Sequence, residues 1–265
     1  MESAEFSNPI KHRLLKGEKM CGCWIQLASN IATEIIADSG YNILLFDCEH
    51  APIEISTLIQ HFQAMRGSGA MSMVRVPWND LVLIKRVLDC GAQAIHIPYV
   101  NTYEEAVAAV RACKYPPIGD RGIAGAPRAN YYGDSSHKYR EKANDEILVV
   151  VAIETLQGVS EVDKMLTIEG LDGIFIGPLD LSTNMGYFCN PQHPVVQAKI
   201  KEIEEKVKHS NKLLATISST PEKAIELYNR GYNYIIIGSD ERYVRQGATK
   251  DVQTILNYKN TIKAI

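Results

Sequence analysis

Eight short apolar runs, separated by amphipathic stretches, restrict this chain to very few folds. They read CGCWIQL (21–27), NILLFD (42–47), MSMVRV (71–76), AIHIP (94–98), ILVVVAIE (147–154), GIFIG (173–177), LLATIS (213–218) and YIIIG (234–238). Several are apolar almost without interruption, which suits parallel strands covered on both faces rather than a half-exposed antiparallel sheet. Stretches at 31–40, 53–67, 79–91, 101–114 and 220–231 repeat apolar residues at helical spacing, and most end on glycine. The segment at 220 starts with Thr220 and Pro221, an N-cap followed by a first helical position. Eight such βα units predict an α/β architecture, a (β/α)8 TIM barrel spanning residues 1–265 as a single domain. A doubly wound sheet also explains parallel strands but has no reason to stop at eight.

Composition narrows the function. Lys plus Arg is 28 and Asp plus Glu is 31, a net charge of -3 with no basic run, so nothing draws the chain toward nucleic acid or anionic lipid. No apolar stretch approaches a membrane span and the N-terminus has no signal-like apolar core; a cytoplasmic protein is expected. Six cysteines without a CxxC pair predict reduced, structural thiols. Residues 115–144, rich in Pro, Gly, Tyr and Arg, read as one long loop. Its Arg121, Arg128, Tyr131 and Tyr132 are candidates for substrate or subunit contacts.

In a TIM barrel the reacting groups stand at the C-terminal ends of the strands. There the chain places Asp47-Cys48-Glu49-His50 after the second run and Arg75 with Pro77-Trp78-Asn79-Asp80 at the third. Glu154 ends the fifth, and Gly177-Pro178-Leu179-Asp180-Leu181-Ser182 follows the sixth. Glu154 and Asp180 end adjacent strands. Two carboxylates that close raise one pKa unless a cation sits between them, and open oxygen sites suit Mg²⁺ or Mn²⁺; helix capping is the alternative role for each alone. His50, in a polar cluster, is a candidate general base that Asp47, Glu49 or Asp89 could orient. Arg75 lies among apolar residues and must face a polar partner or a substrate oxyanion. Trp78 is expected to pack rather than react. The N–H groups of Leu179 and Asp180 are available to hold a carboxylate.

These residues carry a family resemblance. The motifs are Asp47-x-Glu49-His50-x-Pro52, Arg75-Val76-Pro77-Trp78-Asn79-Asp80 and Pro98-Tyr99-Val100-Asn101-Thr102. Lys114-Tyr115-Pro116-Pro117 with Arg121-Gly122, Ile153-Glu154-Thr155 and Gly177-Pro178-x-Asp180-Leu181-Ser182 follow in order. From about residue 10 to 260 the chain resembles the HpcH/HpaI family, the class II metal-dependent pyruvate aldolases. The resemblance implies a barrel whose C-terminal helix is exchanged between subunits, in a homohexamer built from dimers. It implies a divalent metal (Mg²⁺, Mn²⁺ or Co²⁺) and reversible cleavage of a 4-hydroxy-2-oxo acid to pyruvate and an aldehyde, with a place in aromatic-compound catabolism. It assigns the metal to Glu154 and Asp180, the general base to His50, enolate stabilisation to Arg75, and the basicity of the histidine to Asp89.

Two positions depart from the pattern. Ala152 stands where comparable members carry a substrate-contacting glutamine, and Leu179 stands where they usually carry alanine. Both are candidate substrate-binding positions with altered pocket shape. Oxaloacetate decarboxylation, or C–C bond formation through the same enolate, is compatible with the retained groups. A non-catalytic metabolite-binding barrel is the competing expectation, and a phosphate site near Ser218 and Ser239 is disfavoured by Asp240.

Overall fold

In the computed structural model, which describes residues 6–263, the eight strands lie where the apolar runs place them. They are β1 Met20–Ile25, β2 Ile43–Asp47, β3 Met71–Arg75, β4 Ala94–Ile97, β5 Leu148–Ile153, β6 Gly173–Ile176, β7 Leu213–Ile217 and β8 Tyr234–Ser239. Each pairs in parallel with its neighbours, and β1 pairs with β8 to close the barrel. The near-continuous apolar runs follow from this closure. Leu45, Met73, Val150, Phe175 and Tyr234 fill the barrel interior, while Leu44, Val74, Val151 and Ile174 meet the helices outside. Alternate residues thus face two different cores, and both must be apolar.

The helices begin where short polar side chains can take up free N–H groups. Ser29 caps α2 (Asn30–Asp38), and the Asp80 carboxylate accepts from Val82 and Leu83 at the start of α4 (Leu81–Asp89). Thr102 and Glu105 form a capping box on α5 (Tyr103–Cys113), and Thr220 caps α10 (Pro221–Asn229) as its sequence predicts. A short α1 (Pro9–Leu15) closes the N-terminal end of the barrel, sending Ile10 and Leu14 into its interior. The other helices are α3 (Ile55–Ala64), α6 (Ser136–Glu146), α7 (Leu156–Met165), α8 (Pro178–Asn184), α9 (Pro194–Lys208) and α11 (Asp240–Lys263).

The segment 115–144 is not one long loop. A 3-10 turn at 128–133 leads into α6, whose sequence SHKYREKANDE buries only Tyr139 and Ala143. A helix with so narrow an apolar face leaves no periodic signal. Arg121, far from being a surface contact, is fully buried; its guanidinium lies 4.5 Å from the Tyr115 ring centroid and donates to Asp89 at 2.8 Å and to the Tyr139 hydroxyl at 3.2 Å. Arg128 donates to the Cys90 carbonyl at 2.7 Å, while Tyr131 and Tyr132 are exposed. No helix among the described residues is long and apolar enough to cross a membrane. The six cysteines are free thiols.

Candidate active site

The C-terminal ends of β2 and β3 build the first half of the site. Asp47 and Arg75 end these strands in direct register, so their side chains meet without any loop to position them. Arg75 Nε and Nη2 donate to the two Asp47 oxygens at 3.0 and 2.7 Å, and Nη1 lies 3.1 Å from Glu49 Oε2. The guanidinium sits 4.4 Å from the ring centroid of Trp24, on β1. Two carboxylates and an indole face therefore fix the plane of the Arg75 fork. Burial alone would push the Asp47 carboxyl up. The Arg75 bonds and charge, with donors from Gln26 and the His50 backbone, outweigh it and hold Asp47 below the usual carboxylate range.

The second half lies on β5 and β6. Glu154 is buried directly after β5 and accepts the Tyr99 N–H at 2.8 Å. Its carboxyl is pushed up to about 7, chiefly by burial, with the charges of Asp180 and Glu49 adding to it against the Tyr99 bond. Glu49 is likewise raised, first by burial, against the pull of Arg75 and His50. Gly177 leaves the room that Glu154 occupies: a Cβ there would stand 2.6 Å from both Cγ and Oε1 of Glu154. Asp180 lies in the first turn of α8, next to the exposed Leu179. No group of three or more His, Cys, Asp or Glu that could hold a metal occurs among the described residues. A cation held by Glu154 and Asp180 would draw further ligands from substrate or solvent, as hard cations with one or two protein carboxylates do.

His50 projects from the loop after β2, largely exposed, its Nε2 3.6 Å from Glu49 Oε2 and its backbone N–H on Asp47. Asp89 does not join it. It is the last residue of α4 and is bound to Arg121 at 2.8 Å. Barrel helices run opposite to the strands, so a helix C-terminus lies at the far end of the barrel from the strand ends that carry His50. Within one chain the partner of His50 is Glu49.

Ala152 points into the barrel beneath the site, in one cluster with Val150 and Phe175. His96 on β4 and Phe175 on β6 meet edge to face at 4.6 Å across the intervening β5, where Val150 pairs with His96 and Ala152 with Phe175. His96 is buried, its Nδ1 has no hydrogen-bond partner, and burial pushes the imidazole down to about 3. Trp24 lies on its other side, at 6.3 Å. His96 and Trp24 are inconspicuous in the sequence because each sits inside a strand; only the closed register shows them under Arg75. Trp78 packs by stacking on Tyr99 while staying 55% exposed.

Known proteins share this fold. The HpcH/HpaI aldolase/citrate lyase family profile matches residues 20–246. The chain belongs to this family. It is 39% identical over 254 residues to the 5-keto-4-deoxy-D-glucarate aldolase of Salmonella arizonae, a match covering 96% of this chain and 99% of that one. Among solved structures it resembles an HpcH/HpaI aldolase/citrate lyase family protein of Burkholderia cenocepacia, with a TM-score of 0.90, 30% identity, and 94% and 99% of the two chains covered. Citrate synthase SbnG superposes with a TM-score of 0.83 at 28% identity, covering 94% and 98%. The protein is thus an enzyme, a class II aldolase.

Proposed function

We propose that this enzyme cleaves a 4-hydroxy-2-oxo acid reversibly to pyruvate and an aldehyde, with a divalent cation held by Glu154 and Asp180. The observation that carries this reading is Glu154: a buried carboxyl, raised to about 7 beside Asp180 and Glu49, in a space that only glycine at 177 leaves open. Such a surplus of negative charge is relieved by a cation. Mg²⁺, Mn²⁺ and Co²⁺ are the candidates. Bound there, the cation would supply Lewis-acid stabilisation of enolate charge.

This chain's own residues do the rest. Arg75, clamped by Asp47 and Glu49, presents a fixed positive charge where the electrons of the breaking C3–C4 bond collect on the pyruvate fragment. His50 stands exposed at the mouth, free to take the C4 hydroxyl proton directly or through a water. Asp89, bound to Arg121, supports His50 only if another subunit brings its own copy.

The relatives' substrate supports the class. Read from its keto end, 5-keto-4-deoxy-D-glucarate is a 4-hydroxy-2-oxo acid, and cleavage beside its methylene leaves pyruvate and a semialdehyde. The likeness to a citrate synthase favours a second reading, C–C bond formation on or decarboxylation of oxaloacetate through the same enolate. The assembly we propose is a homo-oligomer in which α11, with Val244, Val252, Ile255 and Leu256 exposed along it, packs on a second copy. Light scattering of the intact chain tests this; a monomer contradicts it.

The test of the reaction is pyruvate release from 4-hydroxy-2-oxo acids and from oxaloacetate, with each metal and then with EDTA. Metal-dependent release that Glu154→Gln removes supports the reading. Full turnover in EDTA overturns it.

A further inference from the structure

One imidazole stands among rings on the floor of the site. His96 is 1% exposed, and its buried Nδ1 has no hydrogen-bond partner. It meets Phe175 edge to face at 4.6 Å and lies 6.3 Å from the Trp24 ring. In register it pairs with Arg75 on one side and Val150 on the other. A buried ring nitrogen without a partner costs stability that a carbon in its place would not. A ligand entering the site can supply the missing bond.

The level of His96 in the barrel decides which ligand reaches it. Side chains fill a TIM barrel in layers drawn from alternate strands. Trp24 on β1 and Arg75 on β3 meet across β2, with the guanidinium 4.4 Å from the ring centroid. His96 on β4 and Phe175 on β6 meet across β5. Trp24 neighbours both pairs, so the His96 layer lies against the layer that holds Arg75. On β5 the next inward residue from Val150 toward the mouth is Ala152, and Glu154 follows it by two. Position 152 is where comparable family members carry a substrate-contacting glutamine; alanine ends at Cβ and offers no hydrogen bond there. His96 brings ring nitrogens to the adjoining strand. Burial, with the Arg75 charge, keeps its imidazole neutral against the pull of Asp47, so one nitrogen donates and the other accepts.

We propose that His96 stands in for the amide absent at position 152: one of its ring nitrogens donates to an oxygen of the 2-oxo acid and sets affinity for that half of the substrate. The proposal rests on the aldolase reading above and adds a specificity residue to it. His96 moves no proton in the reaction; it orients the 2-oxo acid between Arg75 and the cation site. The contact serves the pyruvyl half, which every 4-hydroxy-2-oxo acid shares whatever its aldehyde.

The experiment follows pyruvate methyl exchange in D₂O by NMR, at saturating Mn²⁺ and over a range of pyruvate concentrations. It compares the native enzyme, His96→Leu, and His96→Leu combined with Ala152→Gln, with the melting temperature of each. His96→Leu should raise the half-saturating pyruvate concentration about tenfold or more. Its melting temperature should hold or rise, because an apolar side chain suits these surroundings better than an unpaired nitrogen. Adding Ala152→Gln should bring most of the pyruvate affinity back, since the amide then supplies the bond from the neighbouring strand. Three results overturn the assignment: an unchanged half-saturating concentration in His96→Leu, a rise accompanied by a lower melting temperature, or a double variant no better than His96→Leu. Each leaves the aldolase reading standing, because native exchange still depends on the metal. Absence of methyl exchange in the native enzyme overturns both.

Discussion

At the N-terminal end of the barrel three lysines gather around one carboxylate; at the C-terminal end four carboxylates gather around one arginine. Lys11 Nζ reaches the carbonyls of Asp145 and Ile147 at 2.7 and 3.0 Å and Asp172 at 3.0 Å. Lys212 donates to the carbonyls of Ile168 and Leu171 at 2.9 and 2.8 Å, and Lys114 donates to those of Asn144 and Ile147. Every ammonium there finds acceptors from the chain itself. At the other end Arg75 satisfies Asp47 and part of Glu49, while Glu154 is left raised to about 7 with Asp180 beside it. Ammonium groups satisfied by carbonyls and one carboxylate of the chain itself tie that end together. Charge in surplus marks where something from outside is bound.

Substitutions at the two ends should therefore fail in different ways. Arg75→Ala should lower the rate of pyruvate methyl exchange by about 10²–10³, since it removes a fixed charge aimed at the enolate; NMR of the exchange checks it. Arg75→Lys should recover little, because a point charge cannot replace the fork on Asp47. Lys11→Met at the opposite end should instead cost about 3 kcal/mol of stability by leaving Asp172 short of a partner. The melting temperature should then fall by roughly 6–12 °C, with kcat per folded enzyme retained. Gly177→Ala should weaken Mn²⁺ binding about tenfold to a hundredfold, read by titration calorimetry, because its Cβ takes the space of the Glu154 carboxylate.

The smallest effect should come from a buried group at neither end. His61 on α3 is bonded to Thr33 at 2.7 Å, its Nε2 has no partner, and burial pushes the imidazole from 6.5 down to about 4. Below about pH 6.5 the unfolded chain binds a proton that the fold refuses until about pH 4. The stability of the neutral form is thus complete above 6.5 and is lost as the pH falls through that window. Urea unfolding at pH 7 and pH 5 should show this loss, at most about 2 kcal/mol from His61. His61→Gln should lack that share; an unchanged pH slope would contradict the assignment.

Much of this was legible in the residues. All eight strands lie on the apolar runs because each strand of a closed barrel faces a core on both sides. Glu154 and Asp180 come together because they follow adjacent parallel strands, and Arg75 on β3 opens on the same mouth because every strand of the barrel ends there. Asp89 is legible as a carboxylate suited to His50, but its place is not: as the last residue of α4 it pairs with Arg121 within its own chain. The helix α6 escaped because SHKYREKANDE buries two residues and shows no apolar stripe. The His96–Phe175 contact is not legible because nothing in a linear sequence tells which residues meet across a strand; it requires the register in which Val150 pairs with His96 and Ala152 with Phe175.

The most direct test is exchange of the pyruvate methyl protons in D₂O, followed by NMR with Mg²⁺, Mn²⁺ or Co²⁺ and then with EDTA, in the native enzyme and in Glu154→Gln. It requires no knowledge of the aldehyde. A surplus-charge site built for an enolate predicts exchange that depends on the metal and disappears in the variant. Exchange that persists in EDTA, or that Glu154→Gln leaves intact, would contradict it.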